Sequence, residues 1–113
     1  MGSSVRSVAW SIAALALLVL DARAGDVARK PKTHTVVMTG VAFEPASLTV
    51  ACGDSVVWVK MDPFPHTATS KAGAFDSQSI ASGESWKYVA QKKGDFPSVC
   101  TLHMTMKGVL RVQ

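Results

Sequence analysis

The sequence predicts an all-β protein, and within that class an antiparallel β-sandwich. Short segments rich in Val, Thr and aromatic residues alternate with turn signals that contain Gly, Asp or Pro, and about seven of them follow at fairly regular spacing. After the N-terminal region, no stretch shows the period of a long amphipathic helix. The chain has no internal repeat and no low-complexity segment. We therefore expect one small domain with a single core.

The first 24 of the 113 residues have the features of a secretory signal peptide. Arg6 supplies positive charge, residues 8–20 form an apolar run interrupted by Ser11, and residues 22–24 fit an A-x-A cleavage site. The apolar run is shorter than the roughly 20 residues of a membrane-spanning helix, and an uncleaved anchor is the alternative. We expect export to the periplasm, removal of residues 1–24 and no membrane span in the mature chain.

The expected mature chain has 89 residues and begins with a flexible arm. Residues 25–33 are polar, basic and proline-containing, so the folded domain is predicted to span residues 34–113. Losing the leader removes two basic residues and one acidic residue, which lowers the formal charge from +4 to +3. This charge is scattered and forms no stripe with aromatic residues, so nucleic-acid binding is not expected. Mild basicity suits either an acidic protein partner or a solvated surface.

The predicted strands follow one another from residue 36 to the C-terminus. Residues 55–60 illustrate the pattern, because Val56 and Trp58 share one face while Val57 and Val59 share the other. The other strand segments lie at residues 36–38, around Phe43, and at residues 48–50, 86–90 and 109–112. The large aromatic side chains are expected to pack in the core or over it rather than to contact a cofactor; they are Phe43, Trp58, Phe75 and Trp86.

Two cysteines, Cys52 and Cys100, raise the possibility of a disulfide in an exported chain. Cys52 lies in a predicted turn before Gly53, whereas Cys100 begins a run of metal-ligand residue types, so we expect two free thiols. A bridge between them would instead fit a metal-free, immunoglobulin-like interaction module. Trp58 follows Cys52 too closely for that class, in which the Trp lies one strand later.

Residues 100–106 read Cys-Thr-Leu-His-Met-Thr-Met, which places a thiolate, an imidazole and a thioether at the spacing C-x2-H-x2-M. A second imidazole, His66, lies 34 residues upstream, where Pro63 and Pro65 stiffen its loop. One Cys, two His and one weak Met form the ligand set of a blue-copper electron-transfer centre. Zinc is the chemical alternative, although a thioether is a poor zinc ligand. The predicted metal ligands are His66, Cys100, His103 and Met106.

This ligand set predicts an electron carrier and not an enzyme. It leaves no position for a substrate, and the carboxylates Asp54, Asp62, Asp76 and Glu84 are scattered and indicate turn or surface positions. We expect a soluble exported protein that shuttles one electron through one mononuclear Cu(I)/Cu(II) ion per chain. The alternative is a periplasmic copper chaperone or storage protein, because two Met residues near Cys100 suit transfer of Cu(I) between soft ligands.

Several segments together resemble the small type I copper proteins of the cupredoxin family. They are Phe43-Glu44-Pro45, residues 53–59, residues 65–70, and the stretch from Cys100 to His103. The likeness runs from about residue 36 to residue 112, and the C-x2-H-x2-M spacing is similar to that of the amicyanin branch rather than plastocyanin. The resemblance implies a Greek-key β-sandwich with copper near one end. It also implies that the equatorial ligands are His66, Cys100 and His103. The axial ligand is then Met106.

The resemblance also implies a route for the electron. In the family, the second His ligand reaches the surface through apolar side chains, and here that residue is His103. The surrounding apolar candidates are Met61, Pro63, Phe64, Pro65 and Met104. Redox donor and acceptor proteins are implied as partners, with a quinoprotein dehydrogenase and a c-type cytochrome suggested by the loop length. We expect a monomer.

The chain departs from the family pattern at two places near the ligands. Met104 stands where the family usually has Pro. The chain contains no Asn, although family members often use an Asn after the strand Trp to tie the two ligand loops together by a hydrogen bond. Lys60 occupies the equivalent position, and the alignment of motifs predicts that it faces Thr101.

Overall fold

The computed structural model describes residues 29–113, and every regular element in this part is a β-strand. The predicted signal peptide, residues 1–24, lies outside the described residues, as does the beginning of the predicted arm. In chain order, the strands are β1 (Thr33–Thr39), β2 (Ala42–Glu44), β3 (Ser47–Val50), β4 (Ser55–Lys60), β5 (Thr69–Ser70), β6 (Ser85–Val89), β7 (Gly94–Cys100) and β8 (His103–Val112). Residues 29–113 contain no helix that could span a membrane.

The strands form two four-stranded sheets, which confirms the predicted Greek-key β-sandwich. One sheet has the order β2-β1-β4-β6 and the other has the order β3-β8-β7-β5. Two neighbouring pairs, β1 with β4 and β3 with β8, run parallel, and the other pairs run antiparallel. The sheets are therefore mixed rather than purely antiparallel. Parallel neighbours need a long crossover, and here the chain passes through the other sheet between β1 and β4.

An aromatic cluster fills one part of the core, as predicted from the sequence. The ring of Trp58 lies 5.2 Å from that of Phe75 and 5.6 Å from that of Trp86, measured between centroids. Phe75 also contacts Tyr88 at 4.9 Å. Such tilted aromatic pairs add about 0.5–1.5 kcal/mol each beyond the area that they bury. Trp58 and Phe75 are buried, and Trp86 and Tyr88 pack against them from partly exposed positions.

Asp54 closes a turn, as one of its two predicted positions required, because its N–H donates to the carbonyl of Ala51; its side chain is completely buried, so the surface alternative was wrong. One carboxylate oxygen accepts the backbone N–H of Lys32 at 2.9 Å. The other accepts the N–H of Ala51 at 3.0 Å and lies 2.9 Å from Nε2 of His34. These hydrogen bonds offset the free energy that is lost when the carboxylate is removed from water. They also tie the start of β1 to the turn between β3 and β4.

Cys52 and Cys100 are both free thiols, so the disulfide alternative is wrong. Cys52 is exposed and its N–H donates to the carbonyl of Gln113, just beyond the end of β8. Cys100 is buried at the end of β7, next to the start of β8. The two thiols therefore lie at opposite ends of β8.

Candidate metal centre

Three of the predicted ligands converge at one end of the sandwich. Nδ1 of His66 lies 3.7 Å from Sγ of Cys100, and Nδ1 of His103 lies 4.0 Å from the same sulfur. The three ligand atoms all lie within 4.8 Å of one another. His66 and Cys100 are fully buried, whereas His103 is partly exposed.

These separations suit a single metal ion. First-row metal bonds of about 2.0–2.1 Å to nitrogen and 2.3 Å to sulfur, at angles between tetrahedral and trigonal, place the two ligand atoms roughly 3.6–3.9 Å apart. The distance from the sulfur to Nδ1 of His66, 3.7 Å, lies within this range, and the distance to Nδ1 of His103, 4.0 Å, lies just above it. One thiolate and two imidazoles are also the donor types that copper takes in electron-transfer sites. The side chains therefore fit a copper ion without rearrangement of the backbone.

The β7–β8 hairpin delivers Cys100 and His103. Cys100 ends β7, a two-residue turn follows, and His103 begins β8 directly opposite the cysteine. The next pair in the ladder joins Val99 to Lys107, so residues 104–106 form a bulge on β8. Such a bulge re-aims side chains.

The bulge separates the two candidate thioethers. Met106 is 1% exposed and belongs to the same core cluster as Cys100, whereas Met104 is 60% exposed. The exposed position of Met104 leaves Met106 as the thioether on the inner side of the hairpin. The assignment of Met106 as the fourth ligand stays a prediction.

The loop between β4 and β5 delivers His66. Its carbonyl accepts the N–H of Ile80 at 2.8 Å, which fixes the backbone directly after the exposed segment Pro63-Phe64-Pro65. Nε2 of His66 lies 2.9 Å from Oδ2 of Asp62. Because a carboxylate can only accept here, Nε2 carries a hydrogen; in the neutral ring the lone pair is then on Nδ1, the nitrogen that faces Cys100, whereas the protonated ring donates from Nδ1 to the thiolate. Asp62 lies at a bend of this loop and is buried, so of its two predicted positions, turn or surface, the surface alternative was wrong.

Lys60 does not make the contact predicted for it. Its side chain is completely buried, and Nζ donates to the backbone carbonyl of Asp62 and to Oδ1 of the same residue, the latter at 2.8 Å. The prediction that Lys60 faces Thr101 was wrong because a buried ammonium takes the nearest carboxylate. That carboxylate lies only two residues away.

Thr67 ties the two ligand segments together instead. Its hydroxyl accepts the N–H of Thr101 at 2.9 Å and lies 3.1 Å from the hydroxyl of that residue. Its own N–H donates to Sγ of Cys100 at 3.3 Å. The sequence analysis missed Thr67. The available signal was that each of the two threonines directly follows a predicted ligand, His66 or Cys100.

The surroundings of the ligands shift three pKa values. Burial raises the pKa of Cys100, but hydrogen bonds from the Thr67 amide, the two histidines and the Leu102 amide outweigh it and bring the pKa down to about 7. Burial likewise opposes ionisation of Asp62, yet bonds from Lys60 and His66 lower its pKa to about 2. The pKa of His66 is raised, because contacts with Asp62 and Cys100 outweigh its burial. A readily formed thiolate is what metal binding requires.

The segments that carry the ligands also expose large apolar side chains. Met61, Phe64 and Met104 are exposed, as predicted, and Leu102 is a further member that the sequence analysis missed. We call these four residues the apolar patch. They are four of the six large hydrophobic side chains that are exposed among the described residues. Concentration of exposed apolar area around a site is typical of contact surfaces.

Comparison with known proteins finds a matching family model and a related sequence. The family model of the cupredoxin-like domain matches residues 9–112. Plastocyanin from Scenedesmus fuscus is 30% identical over 86 residues, which cover 65% of this chain and 88% of that protein.

Solved structures share the fold. A copper-containing nitrite reductase (NirK) from Thermus scotoductus SA-01 superposes with a TM-score of 0.69 at 28% identity, over 75% of this chain. The chain spans only 23% of the length of that reductase. The oxidised form of an amicyanin variant superposes with a TM-score of 0.67 at 21% identity, over 71% of this chain and 81% of the amicyanin.

Proposed function

Because this chain belongs to the cupredoxin family, we propose that it is an exported electron carrier that holds one copper ion. The plastocyanin and amicyanin relatives support a role in electron transfer. The observation that carries the proposal is the convergence of three ligand atoms, from His66, Cys100 and His103, within 4.8 Å. Met106, buried on the inner side of the β8 bulge, is proposed as the axial ligand.

The side chains prepare the site before metal arrives. When bound, copper supplies a one-electron Cu(II)/Cu(I) couple. Cys100 provides the thiolate, which the Thr67 amide stabilises, and the two histidines each direct Nδ1 toward the sulfur. Because both ligand segments are hydrogen-bonded to the fold, the donor atoms move little when the charge at the site changes. Such preorganisation lowers the cost of transferring an electron.

His103 is the proposed port for electrons. It is the ligand with partial exposure, and the apolar patch of Met61, Phe64, Leu102 and Met104 lies in the segments that hold the ligands. A small apolar surface suits a transient encounter, since redox complexes bury less than about 1,200 Å². We propose redox donor and acceptor proteins as partners, with a quinoprotein dehydrogenase and a c-type cytochrome as the first pair to test.

The nitrite reductase likeness supports a copper fold but not the same activity. The chain spans 23% of that enzyme. In this chain the buried carboxylates of Asp54 and Asp62 are both occupied by hydrogen bonds within the fold. We therefore propose a carrier rather than an enzyme.

A copper titration tests the proposal. Addition of Cu(II) to reduced protein that begins at Gly25 is expected to produce an intense thiolate-to-copper band at roughly 600 nm, as a His2Cys site gives. Cys100→Ser removes the thiolate and abolishes the band, whereas Cys52→Ser, at the exposed cysteine, leaves it unchanged. A wild-type protein that binds copper without colour, or not at all, overturns the proposal.

A second candidate function is copper transfer or storage, which the exposed thioether of Met104 favours. The two functions differ in whether the protein gives up only an electron or the copper ion itself. An electron carrier keeps its copper through repeated reduction and oxidation in stopped flow, whereas a chaperone releases Cu(I) to a thiolate-containing competitor after reduction. Copper content after ten cycles decides between them.

Export rests on residues 1–24 and is tested separately. Expression of the full chain in a Gram-negative host is expected to yield a periplasmic protein whose N-terminal sequence begins at Gly25. Recovery of the full-length chain from the cytoplasm alone contradicts this expectation.

A further inference from the structure

We propose that Lys60 and Asp62 form a buried positioning pair that fixes the ring orientation and tautomer of His66 for metal binding. The inference rests on the proposed function and assigns a role to two residues that the metal itself does not touch. It makes them positioning residues, because they act only through the ligand.

The pair begins with an unusual inward residue on β4. Alternation along this strand buries Val56, Trp58 and then Lys60. The lysine backbone is fixed on both sides, since its N–H donates to the carbonyl of Glu84 and its carbonyl accepts the N–H of Gly83. The ammonium is completely buried, and such a group is costly unless it is paired. A side chain that served only packing would be expected to be apolar at this position.

Both oxygens of Asp62 are occupied. Oδ1 accepts Nζ of Lys60 at 2.8 Å and the N–H of Phe64 at 3.1 Å. Oδ2 lies 2.9 Å from Nε2 of His66. The first two contacts prevent the carboxylate from rotating, so the third imposes one orientation on the imidazole. Carboxylates that hold a metal-binding histidine in this way raise its basicity and fix its tautomer.

The arrangement distinguishes the two histidines. His66 is completely buried and held through Nε2, whereas His103 is partly exposed. Among residues 29–113, no carboxylate holds His103 in the same way. The positive charge of Lys60 balances the negative charge of Asp62, so the pair orients His66 without adding net charge beside Cys100. The site thus combines one rigid imidazole with one that is freer to meet a partner.

The test replaces both charges together. Lys60→Met with Asp62→Asn removes the ion pair and leaves no buried charge unpaired, which avoids the main cause of misfolding. The carboxylate accepts from Phe64 and His66 through two separate oxygens, whereas an amide replaces one of these oxygens by an NH2 donor, so one of the two bonds is lost at this geometry. We expect the double variant to keep a coloured copper site but to bind copper about 10- to 100-fold more weakly, as loss of such outer partners does. Lys87→Met, at an exposed lysine on β6, is the matched control and binds like the wild type.

Nitrogen NMR of metal-free protein supplies a readout that does not depend on copper. At a pH where the ring is neutral, wild-type His66 is expected to be entirely in the Nε2–H form, and the double variant is expected to show both tautomers. Wild-type protein with a substantial Nδ1–H population overturns the inference, whether or not the variant folds. So does a folded double variant with unchanged tautomer and copper affinity. If wild-type protein lacks the copper band but shows a fixed Nε2–H tautomer, the proposed function fails while the positioning role stands.

Discussion

Cys100 receives contacts from both ligand segments, and this environment makes its thiol acidic. The pKa falls from 9.0 to about 7, because the hydrogen bonds outweigh the effect of burial. A thiol with a lowered folded-state pKa contributes stability that is fully present above pH 9 and is lost as the pH falls through about 7. The unfolding free energy of metal-free protein is thus expected to rise as the pH increases from about 7 to 9.

The acidity of Cys100 can be measured directly. In metal-free Cys52→Ser protein, the ultraviolet absorbance of the thiolate is expected to rise with a midpoint near pH 7. His103→Ala removes one of the stabilising contacts, so it moves the midpoint upward. A midpoint close to 9 in Cys52→Ser protein that retains His103 contradicts this account.

Thr67 is the second residue whose role can be isolated. Thr67→Val deletes the hydroxyl that accepts the Thr101 N–H and leaves that donor without this partner. A lost acceptor at a part-buried donor costs about 1–3 kcal/mol. Urea unfolding of metal-free protein measures the change, and Thr67→Ser, which keeps the hydroxyl, is the control. Equal unfolding free energies for the valine and serine variants would show that the hydroxyl does not tie the loops.

Residue by residue, the sequence predicted which candidate ligands lie together better than it predicted the residues that support them. His66, Cys100 and His103 could be recognised because a metal demands particular donor types, and those types are visible as letters at a fixed spacing. Lys60, Asp62 and Thr67 could not, because their hydrogen bonds depend on distances that exist only after folding. Asp54 and Asp62 were assigned to turn or surface positions, and their burial was not predicted, because carboxylates are rarely buried unless they are paired and the pairing partners were not visible.

At the scale of elements, the β7–β8 hairpin decides which of the two thioethers is buried. Without the three-residue bulge, strict alternation would place Met104 and Met106 on the same face of β8. The bulge breaks this alternation, so Met106 is buried and Met104 is exposed. Alternation predicted the last part of β8, residues 109–112, but not β7, whose buried positions do not alternate regularly. The bulge could not be predicted from the sequence, because extra residues on one strand can be recognised only when their pairing with the other strand is known.

Exchange of each thioether tests this division. Met106→Gln is expected to retain a coloured copper site with a shifted reduction potential, because an amide oxygen can replace the axial thioether. Met104→Gln is expected to leave the visible spectrum and the potential unchanged, since that side chain is exposed. Voltammetry and absorbance of both variants check the prediction. A spectrum that responds to Met104 and not to Met106 would reverse the assignment.

At the scale of the whole molecule, the site joins the two sheets. His66 follows a strand of the first sheet, while Cys100 and His103 belong to the second. The sandwich class was predictable from composition and spacing. The two parallel pairings were not, because alternation reveals the faces of a strand but not the direction of its neighbour.

A metal held by both sheets is expected to stabilise the fold without creating it. The ligands are already close within the hydrogen-bonded fold, so circular dichroism of metal-free protein should match that of the copper form. Copper binds only the folded chain with this geometry, and a free concentration 100 times the Kd raises the unfolding free energy by about 2.7 kcal/mol. Thermal denaturation with and without copper measures the difference. A metal-free chain that is unfolded would mean that copper organises the sandwich.

Cys52 is an exposed attachment point near the end of β8, whereas His103 lies at its start. The thiol is exposed and lies beside the C-terminal residue, whereas the apolar patch lies beside the start of β8. A gold surface that binds this sulfur would orient the protein with His103, the proposed electron port, turned toward the solution. Current from such a monolayer would then depend on a soluble redox partner that visits the outer face, because the thickness of the sandwich separates the metal from the electrode.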